Sequence, residues 1–173
     1  MVPCGAQAVD LSAHVGWRYT LNQIYKGRLF SAISSSIDMI TQPKWLAIHT
    51  ESRYLDEFNE QGWNRCYLLI AAILKKSSNL RGMVGSSWFY DPQLNEISPR
   101  LSYLQRVPLS GGATHIRCDS SSSDIALATR TSPTRAKLYE EGKYTPVRYT
   151  IAWPRKELIE WAEKQKEEER IKK

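Results

Sequence analysis

The chain has 173 residues, of which 42% are hydrophobic and 24% charged; these proportions support one self-sufficient domain over 1–173 and exclude wholesale disorder. No apolar run nears the ~20 residues that cross a bilayer as a helix. The net charge is +6, and residues 155–173 hold seven basic and six acidic side chains, so +5 is spread thinly over the rest; this suits an anionic small ligand better than a nucleic-acid stripe.

The opening, MVPCGAQAVDLSAH, has no basic segment followed by an apolar one, so it reads as an irregular edge over 1–15 rather than an export signal. Three cysteines, Cys4, Cys66 and Cys118, cannot all pair within one chain; together these features predict reduced thiols in a cytoplasmic protein. Over 21–40, Leu21, Ile24, Tyr25, Leu29, Ile33, Ile37 and Ile40 recur three or four apart, which predicts a one-faced helix stopped by Pro43. KWLAIHT then reads as a buried strand. Ser52 is a candidate cap for a helix over 53–76, with Asp56 and Glu57 in its first turn and Lys75 and Lys76 in its last. Gly62 sits near the middle of that helix and is a point where it could divide in two.

From Gly82 the grammar changes. GMVGSSWFYDP and ISPRLSYLQRV are rich in aromatic and β-branched residues and predict two antiparallel strands around a loop at DPQLNE. The Gly- and Ser-rich PLSGGATHIRCDSSSSD reads mainly as loop, and IALAT as a further short strand. Ser132, Pro133 and Gly142 then supply the cap, first residue and terminator of a helix. Val147, Tyr149, Ile151 and Trp153 alternate along one face of a strand that Pro154 ends. A last helix carries Leu158, Ile159, Trp161 and Ala162 and runs into a charged, solvated helical tail over 163–173. Helices interleaved with paired and separated strands predict an α/β (α+β) fold. Its expected core is a mixed, largely antiparallel sheet with helices on both faces.

Several residue groups can carry chemistry. Arg130, Arg135 and the amides after Ser132 would meet at one helix start, a sound phosphate or carboxylate site or else an ordinary cap with two solvated arginines. Trp88, Tyr90 and Asp91 could wall a substrate, although core packing also accounts for the aromatics. Arg100 could clamp a carboxylate or lie exposed on an edge. His115 and Cys118 form H-x-x-C, but a single such pair does not make a metal site, and nothing around Cys118 points to a lowered thiol pKa. No metal is expected.

SPTRAKLYEEGKYTPVRY, residues 132–149, resembles the last helix and strand of the GNAT N-acyltransferase superfamily, where N-x-x-A-x-x-L-Y-E-x-x-G-F is common. Leu138, Tyr139 and Glu140 match, Tyr144 falls at the aromatic after Gly, and Ser132 replaces the Asn cap; Ala136 and Gly142 are each displaced by one. The resemblance implies a GNAT-like fold and an acyl group moved to an amine from a thioester, acyl-CoA or an acyl-carrier protein, as co-substrate. Tyr139 would protonate the departing thiolate, or else simply pack its helix on the sheet. Arg130, Ser132 and Arg135 would lie near the donor phosphates, and Trp88, Tyr90, Asp91 and Arg100 near the acceptor. The family's pyrophosphate turn, Q/R-x-x-G-x-G/A, has its nearest counterpart at Gly111 and Gly112 in QRVPLSGGATHI, where Gln105 and Arg106 stand too far from the glycines to match. The alternative is a non-catalytic module that binds an anionic small molecule or partner at the Ser132 helix start.

Overall fold

The computed structural model describes residues 2–4, 7–13, 44–50 and 56–171. The described strands are β1 (Val2–Cys4), β2 (Gln7–Ala13), β3 (Lys44–Thr50), β4 (Leu80–Ser87), β5 (Thr114–Arg117) and β6 (Tyr149–Pro154). The described helices are α1 (Glu60–Lys76), α2 (Leu94–Ile97), α3 (Tyr103–Ser110), α4 (Ser122–Arg130), α5 (Pro133–Glu140) and α6 (Arg155–Ile171), with 3-10 turns at Trp88–Tyr90 and Pro99–Leu101.

The strands form one mixed sheet in the order β1-β2-β3-β4-β6-β5. Every neighbouring pair is antiparallel except β3 with β4, which are joined through α1 as a crossover requires. The α/β fold with a mixed, largely antiparallel sheet is therefore the fold the sequence predicts. Alternation divides the sheet. Leu46, Ile48, Met83, Ile151 and Trp153 belong to the large core with Trp63, Tyr67, Ile70 and Leu74 of α1 and Leu158 and Trp161 of α6, and α1 and α6 pack on each other there. Trp45, Ile116 and Ala152 form a smaller cluster, with Val84 packed against it.

KWLAIHT is β3 as expected, and the last helix and strand fall where periodicity puts them. Other expectations are corrected. Residues 2–4 and 7–13 of the supposedly irregular edge are strands that extend the sheet. The helix expected over 53–76 begins at Glu60: the Asn59 side chain accepts from the Gly62 N–H, so Gly62 lies in the first turn and divides nothing. WFYDP and ISPRL are not paired strands but short helical turns, because Ser87 caps a 3-10 turn and Pro99 opens another. IALAT is helical, held by a capping box in which Ser121 and Asp124 exchange hydrogen bonds. The serines read as loop therefore supply a helix start. The helix expected over 21–40 and the cap at Ser52 lie outside the described residues.

Candidate functional site

β3 and β4 are paired from Lys44↔Leu80 to Ile48↔Gly85 and no further. Beyond that point the two strands keep only their outer partners. His49 and Thr50 pair with Ala8 and Gln7 of β2, while Ser86 and Ser87 pair with Thr150 and Tyr149 of β6. The sheet therefore opens between its two parallel strands at their carboxyl ends. Gly85 stands at the fork because a side chain would not fit: its Cβ would lie 2.6 Å from Ile48 Cγ2 and 2.7 Å from the Tyr90 hydroxyl.

The opening meets a cavity of about 660 Å3 lined by residues that include Thr50, at the end of β3, and Trp88, just beyond β4. In open α/β sheets ligands bind in this place, outside the carboxyl ends of parallel strands. Phe58, Trp88, Phe89 and Leu101 supply apolar wall. Phe58 and Phe89 rings are 5.3 Å apart between centroids, and Trp88 and Phe89 4.3 Å. The polar lining includes Asn59 and Glu60 at the start of α1, Arg100, Tyr103 and Arg135. Glu60 is already engaged by Arg106 at 2.7 Å. Arg100 has no ion-pair partner among the described residues.

Arg135 is only 2% exposed. Its Nε donates to the Ala128 carbonyl at 2.8 Å, Nη1 to Ser98 Oγ at 3.0 Å and Nη2 to Thr131 Oγ1 at 2.8 Å. Burial above all, and the neighbouring Arg100 charge as a smaller cause, pull its pKa down, whereas Tyr144 opposes them. Burial likewise pushes the Tyr103 phenol up to about 12, with Glu60 adding to the rise and Arg100 opposing it. The Tyr103 hydroxyl has no hydrogen-bond partner among the described residues.

The residues singled out in the sequence are only partly brought together. Trp88, Arg100 and Arg135 share the cavity. Ser132 caps α5 as expected, accepting the Arg135 N–H at 3.4 Å, and Gly142 takes φ +68° just beyond the helix. The expected convergence at that cap does not occur. Arg130 and Tyr139 line a separate hollow of about 560 Å3 between α4 and α5, which shares no residue with the larger cavity. Tyr139 is 41% exposed there, so it neither packs its helix on the sheet nor reaches the cavity. Arg135 instead folds back beneath the cap, because Ala128, Ser98 and Thr131 offer three acceptors matched to its planar fork.

Gly111 and Gly112 end α3 rather than open a helix. They stand at a helix C-terminus, the pole that repels anions, and are required for packing. A Cβ on Gly111 would overlap the Trp153 indole, whose Nε1 donates to the Gly111 carbonyl, and Gly112 turns the chain with φ +91°. Tyr90 and Asp91 are buried behind the cavity wall rather than on it. Asp91 Oδ1 accepts from the Gln93 N–H and Oδ2 from the Val147 N–H. His115 and Cys118 diverge: His115 Nε2 lies 2.7 Å from the Tyr90 carbonyl, and Cys118 Sγ 3.3 Å from Thr150 Oγ1. Missed from sequence were Phe58, Phe89 and Tyr103; Phe58 lies in a segment read as helix, and Phe89 and Tyr103 in supposed strands.

Comparison of the chain with family models, with curated protein sequences and with solved structures gives no match. No helix among the described residues is long and apolar enough to cross a membrane.

Proposed function

We propose that the protein is an acyltransferase that works at the opening between β3 and β4, moving an acyl group from a thioester to an amine. The observation that supports this reading is the early end of the β3–β4 ladder beside an apolar cavity. Parted strand edges suit an extended ligand that carries amides, as the arm of an acyl-CoA or acyl-carrier thioester does, because main-chain groups without a strand partner pair with such a chain. The cavity would receive the acyl group and the acceptor. The amine nitrogen attacks the thioester carbonyl, the new C–N bond forms as the C–S bond breaks, and the thiolate takes up the proton the amine loses. The resemblance of residues 132–149 to GNAT enzymes points the same way. Tyr139, however, lies outside the cavity, so in this reading the proton reaches the thiolate by another group or through water. The free thiols Cys4, Cys66 and Cys118 suit a reducing compartment such as the cytoplasm.

The test is release of free coenzyme A, followed by chromatography, from acetyl-CoA and longer acyl-CoA donors with and without amine acceptors. Amine-dependent release that persists in Tyr139→Phe is the expected result; a folded protein that releases no thiol from any donor, acyl-carrier thioesters included, overturns the reading. The position of Tyr139 also favours a second reading, a non-catalytic module that takes an anionic small molecule in the same cavity. That reading expects ligand-dependent thermal stabilisation without turnover, about 2.7 kcal/mol at a hundredfold excess over Kd.

A further inference from the structure

We infer that the cavity holds the carboxylate of an apolar, arylalkyl-type molecule between Arg100 and Arg135. In taking this cavity as the working site the inference rests on the reading above, and within acyl transfer it makes the acceptor an amine that also bears a carboxylate.

Arg135 is a buried cation whose three hydrogen-bond partners are neutral oxygens. No carboxylate among the described residues pairs with it, and a charge out of water without a counter-charge is costly. A guanidinium has five N–H groups; three are used, and those left on Nη1 and Nη2 belong to a side chain that lines the cavity. Arg100 lines the same cavity and is close enough for its charge to act on Arg135. Two like charges facing one hollow without an intervening anion repel each other, and an anion between them adds two shorter-range attractions that outweigh the one repulsion.

Tyr103 also lines the cavity, but its hydroxyl is shut away from solvent, without a partner among the described residues, so the two guanidinium groups are the donors. Glu60, the acidic side chain that lines the cavity, is occupied by Arg106, and Glu57 just before α1 by Arg65. The missing negative group is therefore one the ligand brings.

The walls select among anions. Phe58, Trp88, Phe89 and Leu101 would strip water from a polyphosphate and return little for it, whereas an aromatic body stacks on them. A carboxylate is planar, singly charged and matched to the guanidinium fork.

Titration calorimetry on the intact chain tests this with 3-phenylpropanoate, phenylalanine, phenylalaninamide, phenethylamine and inorganic phosphate. The two carboxylates are expected to bind at least about tenfold tighter than the two amines that lack one. Arg100→Gln, at an exposed position, is expected to weaken both carboxylates by about 10- to 100-fold while leaving phenethylamine and the unfolding midpoint unchanged; Arg100→Lys is expected to retain part of the affinity. Equal binding of phenylalanine and phenylalaninamide overturns the inference, as does phosphate binding tighter than every aryl acid, or an Arg100→Gln effect equal for all probes. Carboxylate binding without thiol release would leave this site standing and remove acyl transfer. Acyl transfer with equal kcat/KM for phenylalanine and phenethylamine would do the reverse.

Discussion

The Arg135 guanidinium carbon lies 4.6 Å from the centroid of the Trp88 ring, joining the start of α5 to the residue that follows β4. The contact ties the helix from which Arg135 projects to the wall of the cavity. Cation–π attraction adds about 0.5–2 kcal/mol at such a site, and three hydrogen bonds fix the plane of the fork. Arg135→Met removes the buried charge but leaves the Ala128 carbonyl with only the longer Thr131 Oγ1 contact at 3.5 Å; a loss of about 2 kcal/mol is expected from urea unfolding. Arg135→Lys keeps a buried charge without the fork and should cost at least as much. A lysine variant as stable as the parent would show that geometry is not what holds this residue.

Gly85 sets where the sheet divides. Its missing side chain admits Ile48 Cγ2 and the Tyr90 hydroxyl to within 2.6 and 2.7 Å of where a Cβ would stand. Gly85→Ala is expected to cost about 1–3 kcal/mol through overpacking. Tyr90→Phe removes that hydroxyl, so the double variant should recover part of the loss, giving a favourable coupling of at least about 0.5 kcal/mol in a double-mutant cycle. Strict additivity would mean that Tyr90 is not what crowds the fork.

What could be read from the sequence follows from how local each determinant is. The helix from Pro133 was legible because Ser132, Pro133 and Gly142 act within one or two turns of the chain. β3 and β6 were legible because burial imposes its own run or alternation. The cavity was not, because it is assembled from Thr50, Phe58, Trp88, Arg100 and Arg135, which no local pattern links. Aromatic content misled at WFY and SYL: ring-rich segments favour strands on average, yet here a Ser cap and Pro99 turned the backbone into short helical turns before a ladder could form. Arg135 misled in a different way. A charged third residue of a helix ordinarily faces solvent, and only the acceptors on Ala128, Ser98 and Thr131 draw this one inward.

Alkaline pH should unfold the protein through its buried phenols. Burial foremost pushes Tyr103 up to about 12 and raises Tyr67, Tyr90 and Tyr144 as well, whereas an unfolded tyrosine titrates near ~10. Between those values the unfolded chain has lost protons that the native one retains, so stability falls as pH rises. It is fully present below about pH 10, and each such phenol contributes a slope of about 1.4 kcal/mol per pH unit above it. Urea unfolding from pH 7 to 11, read with tyrosinate absorbance, is expected to show a plateau and then a decline in which ionisation accompanies unfolding. Complete ionisation of all tyrosines in a still-folded chain by pH 11 would contradict the burial of these hydroxyls.

Asp91 separates a structural role from a substrate role. It is 1% exposed, and its carboxylate receives the Gln93 N–H at 3.1 Å and the Val147 N–H at 2.9 Å, while its carbonyl accepts from Gln105 Nε2 at 2.7 Å. One residue thus fastens the turn after β4, helix α3 and the approach to β6. In Asp91→Asn the amide nitrogen must face one of those N–H donors, which cannot pair with it. The expected loss is about 1–3 kcal/mol of stability, with ligand affinity nearly unchanged because Asp91 does not line the cavity. The same change should move a tyrosine titration. Burial first and the Asp91 charge second hold the Tyr144 phenol up, so Asn at 91 should lower one tyrosinate transition, and that transition should be missing in Tyr144→Phe. Normal stability together with lost ligand binding in Asp91→Asn would place the carboxylate against the ligand after all and require the cavity to extend past the Trp88 turn.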